Sequence, residues 1–108
     1  MGCERMDGMT PEELLAWANG LGICEFKPCE GAARGAIACE RGDARISLEF
    51  GRYAMREKEG VRFVAVDARV GMSGRSWPCD TLEEARHMLD IWADWAGLRS
   101  EAMQLSMF

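Results

Sequence analysis

A strict alternation of apolar and polar side chains from residue 45 onward constrains the fold of this chain more than any other feature. The apolar residues are Ile46, Leu48 and Phe50, and a polar residue precedes each of them. A period of two is typical of an antiparallel strand with one face on a core and the other in solvent. Beyond Gly51 the apolar positions shift to Tyr53 and Met55, which predicts a β-bulge near Gly51.

Further strand signals lie on both sides of this segment. Residues 36–40 are predicted to pair with it as a hairpin through the turn Arg41-Gly42-Asp43. After a tight turn at 57–60, residues 61–70 are rich in β-branched side chains and predict the next strand. On the favoured parity this strand buries four residues, namely Val64, Val66, Ala68 and Val70.

The rest of the central region carries weaker signals. Residues 23–28 are a candidate first strand that ends at Pro28, which cannot donate to a ladder. Residues 71–79 contain two glycines and a Trp-Pro pair and are predicted to form a loop. The predicted sheet is therefore a three- or four-stranded antiparallel meander.

Two helix starts enclose the predicted strands. Thr10-Pro11-Glu12-Glu13 has the pattern of a capping box with proline at the first helical position, and it predicts a helix over 11–20. Thr81-Leu82-Glu83-Glu84 opens a second helix with apolar residues at spacings of three and four, which Gly97 ends. The predicted fold is α+β, with an N-terminal helix, the meander and a C-terminal helix, and with both helices packed on one face of the sheet.

Composition limits the number of domains and the cellular setting. A chain of 108 residues with 48% hydrophobic and 29% charged residues has the make-up of one globular domain. We expect a disordered leader over 1–9, the domain over 10–98, and an apolar tail over 99–108 that extends the helix or forms an interface. Neither an export signal nor an apolar run of about 20 residues is found, which predicts a cytoplasmic protein without membrane contact.

The cysteines do not have the spacing of a familiar site. Their number is five, which is odd, and without an export signal they are interpreted as reduced thiols rather than as a disulfide framework. Only Cys24 and Cys29 are close in sequence, whereas structural zinc sites usually present two close pairs, so a zinc site is the less favoured alternative. The single histidine, His87, has nothing in the sequence to orient it as a catalytic base. The sequence therefore predicts no metal, no cofactor and no enzyme activity.

One predicted surface has a bias in charge. Residues 41–75 contain eight basic and five acidic residues, although the net charge of the chain is −5. The sheet face opposite the core is predicted to carry a basic and aromatic set, Arg45, Arg52, Arg56, Phe63 and Arg69. Such a face can bind phosphates, but solvent-exposed sheet faces also commonly mix arginine and glutamate in cross-strand pairs.

The order helix, three strands, helix resembles that of the double-stranded RNA-binding domain. That family places a lysine cluster at the start of its last helix, where this chain has Thr81-Leu82-Glu83-Glu84. Acidic residues there would repel phosphate, so the resemblance is one of topology and implies no function.

These features favour a small non-enzymatic interaction module that docks on a protein partner, as a regulator, an inhibitor or the product of a mobile element. A homodimer is predicted if the apolar tail pairs with a copy of itself through Met103, Leu105, Met107 and Phe108. The alternative is a nucleic-acid-binding protein that uses the basic sheet face. The sequence identifies neither the partner nor the process served.

Overall fold

The computed structural model describes residues 8–29 and 36–100, and in them a helix lies at each end of an antiparallel sheet. The elements are α1 (Pro11–Gly20), β1 (Lys27–Pro28), β2 (Ile37–Arg41), β3 (Ala44–Arg52), β4 (Arg62–Val70), β5 (Ser73–Cys79) and α2 (Leu82–Ala96). The strands follow the order β1-β2-β3-β4-β5 in one sheet, and a 3-10 turn at Arg56–Lys58 connects β3 to β4. The α+β class is confirmed, but the sheet has five strands instead of the three or four predicted.

Helix α1 begins and ends as predicted. The Glu13 backbone N–H donates to Thr10 Oγ1 at 3.1 Å, and the Thr10 N–H donates to Glu13 Oε1 at 2.9 Å, which completes the capping box. Leu14 and Ala18 are buried in the core. At the other end of the helix, the Asn19 amide accepts from the Phe26 N–H at 2.7 Å and donates to the Phe26 carbonyl at 3.2 Å. This side chain therefore occupies both backbone groups of Phe26.

Residues 23–26 enter the core without joining the sheet. Ile23, Cys24 and Phe26 are all buried, and strand pairing begins only where Lys27 lies opposite Ala38. The strand predicted over 23–28 is thus reduced to the two residues of β1. The bonds from Asn19 explain the difference, because they take the backbone groups that Phe26 would otherwise offer to a ladder.

Strand β5 replaces the loop that was predicted over 71–79. Val70 lies opposite Ser73, so only Gly71 and Met72 form the turn between β4 and β5. Gly71 has a φ of +59°, and a glycine with positive φ at the first turn position is the signature of a type II′ hairpin. Six of the seven β5 residues are exposed, so the strand lacks the apolar alternation that would have predicted it.

The ladder between β3 and β4 is regular where a bulge was predicted. Its register runs unbroken from Ala44 opposite Val70 to Arg52 opposite Arg62, and Gly51 lies opposite Phe63. A Cβ atom on Gly51 would lie 2.6 Å from Cζ of Phe63. The glycine therefore makes room for the Phe63 ring, and the predicted bulge is wrong.

The core lies between the sheet and α2. The parity predicted for β4 is confirmed for Val64, Val66 and Ala68, which are buried, while Val70 is half-buried and packs against the same cluster. Helix α2 contacts β3, β4 and β5, and it ends at Gly97, whose φ is +69°. Leu14 and Ala18 of α1 belong to the same apolar cluster, while the packing of both helices on one face stays a prediction. Neither helix of the described residues is long and apolar enough to span a membrane.

Two predicted segments fall largely beyond this description. Residues 1–7 of the expected leader lie outside the described residues. So do residues 101–108, which include the four predicted tail contacts Met103, Leu105, Met107 and Phe108.

Candidate functional site

The structure separates the residues that were predicted to form one basic face. Arg45, Phe63 and Arg69 alternate with the buried residues of β3 and β4 and lie on the face opposite the core. Arg52 shares the parity of the buried Phe50, and its guanidinium donates to the Gly60 carbonyl at 2.6 Å. Arg56 lies in the 3-10 turn between β3 and β4. Because there is no bulge at Gly51, Arg52 keeps the parity of the core-facing residues.

Acidic residues balance the arginines that remain on that face. Arg45 forms an ion pair with Glu40 at 3.6 Å and also donates to Cys29 Sγ at 3.3 Å. A groove of about 510 Å³ crosses the face, and the charged side chains of this face that line it are Arg45, Arg69, Glu49 and Asp67. Mixed charges of this kind stabilise neighbouring strands but give only a weak field for phosphate.

A second surface lies along β5, which is the last strand of the sheet. Val70 and Ser73 close a two-residue hairpin and are a hydrogen-bonded pair, so the odd-numbered β5 residues direct their backbone groups to β4. Gly74 and Ser76 therefore direct theirs away from the sheet. Pro78 shares this outward register, where its missing N–H breaks no bond to β4. No strand of the described residues pairs with this edge, which offers two N–H donors and three carbonyl acceptors.

Helix α2 runs beside this edge on the core side of the sheet. Trp77 Nε1 donates to Glu84 at 3.4 Å near the start of α2, and the Arg75 guanidinium lies 4.2 Å from the centroid of the Trp95 ring near its end. Between these two contacts Ile91 stands on the same helix flank, four positions before Trp95. Trp77 is 51% exposed and Ile91 is 46% exposed. We call β5 together with Ile91 and Trp95 the β5 rim.

A network of hydrogen bonds fixes the end of β5 where α2 begins. The Asp80 carboxylate accepts from Lys58 Nζ at 2.8 Å and from the Tyr53 hydroxyl at 2.9 Å. These partners, Lys58 first, hold the pKa of Asp80 below its usual value. The Asp80 backbone N–H in turn donates to the Glu84 carboxylate at 2.8 Å. Trp77 therefore lies on a strand whose end is hydrogen-bonded, through Asp80, both to α2 and to the turn after β3.

The other chemically notable groups give no site of a familiar kind. Across residues 8–29 and 36–100, no three His, Cys, Asp or Glu side chains are arranged to hold a metal ion. His87 is exposed on α2, beside Glu83 and Asp90. Burial raises the pKa of Cys79 to about 12, so its thiol stays protonated at neutral pH.

Comparison with known proteins provides no assignment. No protein-family model, no curated protein and no solved structure matches this chain. The sequence interpretation had placed Trp77 in a loop and missed the rim. The sequence signal that could have predicted β5 was Val70-Gly71-Met72-Ser73, because a glycine at the first position of a two-residue turn indicates a hairpin.

Proposed function

We propose that this protein is a non-enzymatic interaction module whose β5 rim binds an extended segment of a protein partner. The observation that carries the proposal is a seven-residue edge strand that bears the half-exposed Trp77 and is in contact with α2, on which Ile91 is also half-exposed. An exposed edge is a template for strand addition, in which backbone bonds supply affinity and flanking side chains supply specificity.

The rim also suggests the chemistry of the partner. In an added strand, alternate side chains point to the core side of the sheet, where Arg75 and Trp77 stand two residues apart. An apolar side chain placed beside Trp77 would cover the exposed ring and contact Ile91. A carboxylate two positions away would lie beside the exposed Arg75 guanidinium. The expected segment therefore carries an acidic and an apolar residue separated by one residue.

Pro78 limits the length of the added strand. Only Gly74 and Ser76 supply outward N–H groups on the described edge, so the backbone bonding extends over about three residues of β5. Proline near an edge also hinders indefinite pairing between copies of a protein. This is the behaviour expected of an edge that binds one short segment.

The open sheet face is the weaker candidate. Nucleic-acid binding there would rest on Arg45 and Arg69, with Glu40, Glu49 and Asp67 around them. It also requires both helices to lie on the opposite face, which the shared cluster of α1 and α2 residues favours. The balance of charge makes the protein-binding surface the better supported of the two.

The first experiment is a capture from the cells of the protein's own source, with and without nuclease, using wild type and two charge reversals. Arg75→Glu alters the β5 rim, and Arg69→Glu alters the open face. A protein captured despite nuclease, lost with Arg75→Glu and retained with Arg69→Glu, would support the proposal. Nuclease-sensitive capture that Arg69→Glu abolishes would transfer the function to the open face.

Direct binding to the purified partner then tests the mode of docking. Ser76→Pro removes an outward N–H, whereas Ser76→Ala keeps it and serves as the matched control. We expect Ser76→Pro to weaken binding at least tenfold, because about 1.4 kcal/mol is lost with a backbone hydrogen bond at the edge. Equal affinity of the two variants would exclude strand addition.

The apolar contact has its own matched pair. Trp77→Ala should weaken binding by roughly 2 kcal/mol or more, as is usual for a tryptophan at the centre of an interface. Met55→Ala removes an apolar side chain that is 71% exposed and does not belong to the rim, and it should leave the affinity unchanged. Loss of binding in both variants would indicate a general dependence on surface hydrophobicity.

A further inference from the structure

Two cysteines that are distant in sequence meet at the edge of the core beside β1. Cys24 is buried and belongs to the apolar cluster, and Cys39 on β2 is half-buried and packs against that cluster. The two thiols lie close enough to interact, and this interaction is the largest influence on the pKa of each. The Glu25 backbone and the Arg41 guanidinium also lie near Cys39. Cys39 thus has several partners that stabilise a negative charge.

These contacts have opposite effects on the pKa values of the two thiols. The hydrogen bond from Cys24, the Glu25 N–H and Arg41 lower the pKa of Cys39, against the opposing effects of burial and the Glu25 carboxylate. The same shared bond, followed by burial, raises the pKa of Cys24. Cys39 is therefore the thiol of the pair that ionises first and gives the thiolate, the nucleophilic form of cysteine, while Cys24 keeps its proton.

Only Cys39 of this pair faces open space. A cleft of about 910 Å³ beside β1 and β2 is lined by Cys39 and Cys29 together with three basic and two acidic residues, Lys27, Arg41, Arg45, Glu25 and Glu40. A small neutral peroxide can enter such a cleft, whereas Cys24 is buried in the core and does not line it. An accessible thiolate next to a buried thiol is the arrangement of a redox-active pair with a resolving cysteine.

We propose that Cys39 is a modification site for hydrogen peroxide and that Cys24 resolves it, which produces a reversible Cys24–Cys39 disulfide. In the first step the Cys39 thiolate attacks one peroxide oxygen. The S–O bond forms, the O–O bond breaks, and hydroxide leaves, so that the sulfur is oxidised to a sulfenic acid and the peroxide is reduced. In the second step the Cys24 sulfur attacks the Cys39 sulfur. The S–O bond breaks, and the hydroxyl group leaves as water with the Cys24 proton.

The described chain provides internal controls for this site. Cys29 lines the same cleft, but its sulfur accepts from Arg45, and no bond to Cys24 or Cys39 is seen. Cys79 is fully buried on β5, far along the sheet from β1, and its raised pKa keeps it a thiol. Reactivity is therefore expected to be greatest at Cys39 and least at Cys79.

The test treats the full-length protein with one equivalent of hydrogen peroxide at neutral pH, blocks the remaining thiols, and maps the peptides without reduction. We expect a loss of two hydrogen atoms in intact mass and a bridged peptide that contains Cys24 and Cys39. Cys24→Ser keeps a hydroxyl donor for Cys39 but cannot resolve it, so a dimedone adduct on Cys39 should replace the disulfide. Cys79→Ser should behave as wild type.

Cys39→Ser should slow peroxide consumption at least tenfold. A disulfide between Cys39 and Cys29, or consumption that Cys39→Ser leaves unchanged, would overturn the assignment. Because a serine variant could perturb folding, the relative alkylation of the cysteines in the native wild-type protein is measured as well. Slower labelling of Cys39 than of Cys29 there would also refute the proposal.

Discussion

The contact between Gly51 and Phe63 gives a prediction whose sign depends on the background in which it is made. In wild type, Gly51→Ala places a Cβ atom 2.6 Å from Cζ and 2.8 Å from Cε1 of Phe63. Both distances are about 1 Å shorter than a carbon–carbon contact at its optimum, so the ring has to move. It cannot move without disturbing the Tyr53 ring, whose centroid lies 4.6 Å away.

The magnitude follows from two opposing effects. Forcing a methyl group into filled space typically costs 1 to 3 kcal/mol, that is, about 2. Replacing glycine with alanine where φ is ordinary restores about 0.4 to 1 kcal/mol by restricting the unfolded chain. Gly51→Ala should therefore lower the free energy of unfolding by about 1 kcal/mol, which corresponds to a fall in Tm of roughly 4 to 8 °C.

Removing the ring should reverse that sign. In a Phe63→Ala background the clash is absent, so Gly51→Ala should raise the free energy of unfolding by about 0.5 kcal/mol. The assay is urea unfolding of the wild type, both single variants and the double variant, which together form a thermodynamic cycle. If Gly51→Ala has the same effect in both backgrounds, the glycine is not needed for the ring, and the explanation of the regular ladder fails.

Three further predictions concern how the ends of α2 are held. Thr81→Ala removes the acceptor for the Glu84 N–H and should destabilise the protein by about 1 kcal/mol in urea unfolding, whereas Thr81→Ser should not. Arg99→Met breaks the contacts with the exposed Asp94 and Asp90 carboxylates; the loss should be about 1 kcal/mol and should shrink in high salt. The lowered pKa of Asp80 contributes stability that is present above the pKa of unfolded aspartate and is lost as the pH falls through the folded value. The stability of Asp80→Asn should therefore fall less steeply with decreasing pH than that of wild type. Equal steepness would show that the contact with Lys58 does not contribute to stability.

The elements that the sequence predicted correctly are those in which local signals and burial agree. Helix α1 has a capping box, β3 and β4 have apolar residues on alternate positions, and α2 has an apolar stripe. In β3, β4 and α2 the residues that favour the local conformation are also those that the core buries, and in α1 the exposed capping box directly precedes the buried Leu14. Sequence reasoning succeeds there because the same pattern indicates both the local conformation and the residues that are buried.

Strand β5 and the interaction surface could not be predicted in the same way. At the edge of the sheet, Ser73–Cys79 is held by backbone pairing to β4 and buries only Cys79, so its side chains carry almost no periodic signal. The phase shift at Gly51 was interpreted as a bulge because sequence does not show that a ring from the next strand fills the space. The Cys24–Cys39 contact was missed for a related reason. Spacing along the chain drew attention to Cys24 and Cys29, whereas the fold brings together residues fifteen apart.

The strand order has a consequence for how the protein reaches its native state. Every strand pairs with its neighbour in sequence, and two of the connections are turns of only two residues. The entropy lost in closing each loop is small, so the pairing of β3, β4 and β5 can begin before any distant parts of the chain meet. Among the described residues, a far longer closure is made by the bond from the Ser100 N–H to the Ile23 carbonyl at 2.7 Å, which joins the segment after α2 to the segment after α1. Assembly from the middle outward leaves the two ends of the domain to be ordered last, and each depends on the other for its final contacts.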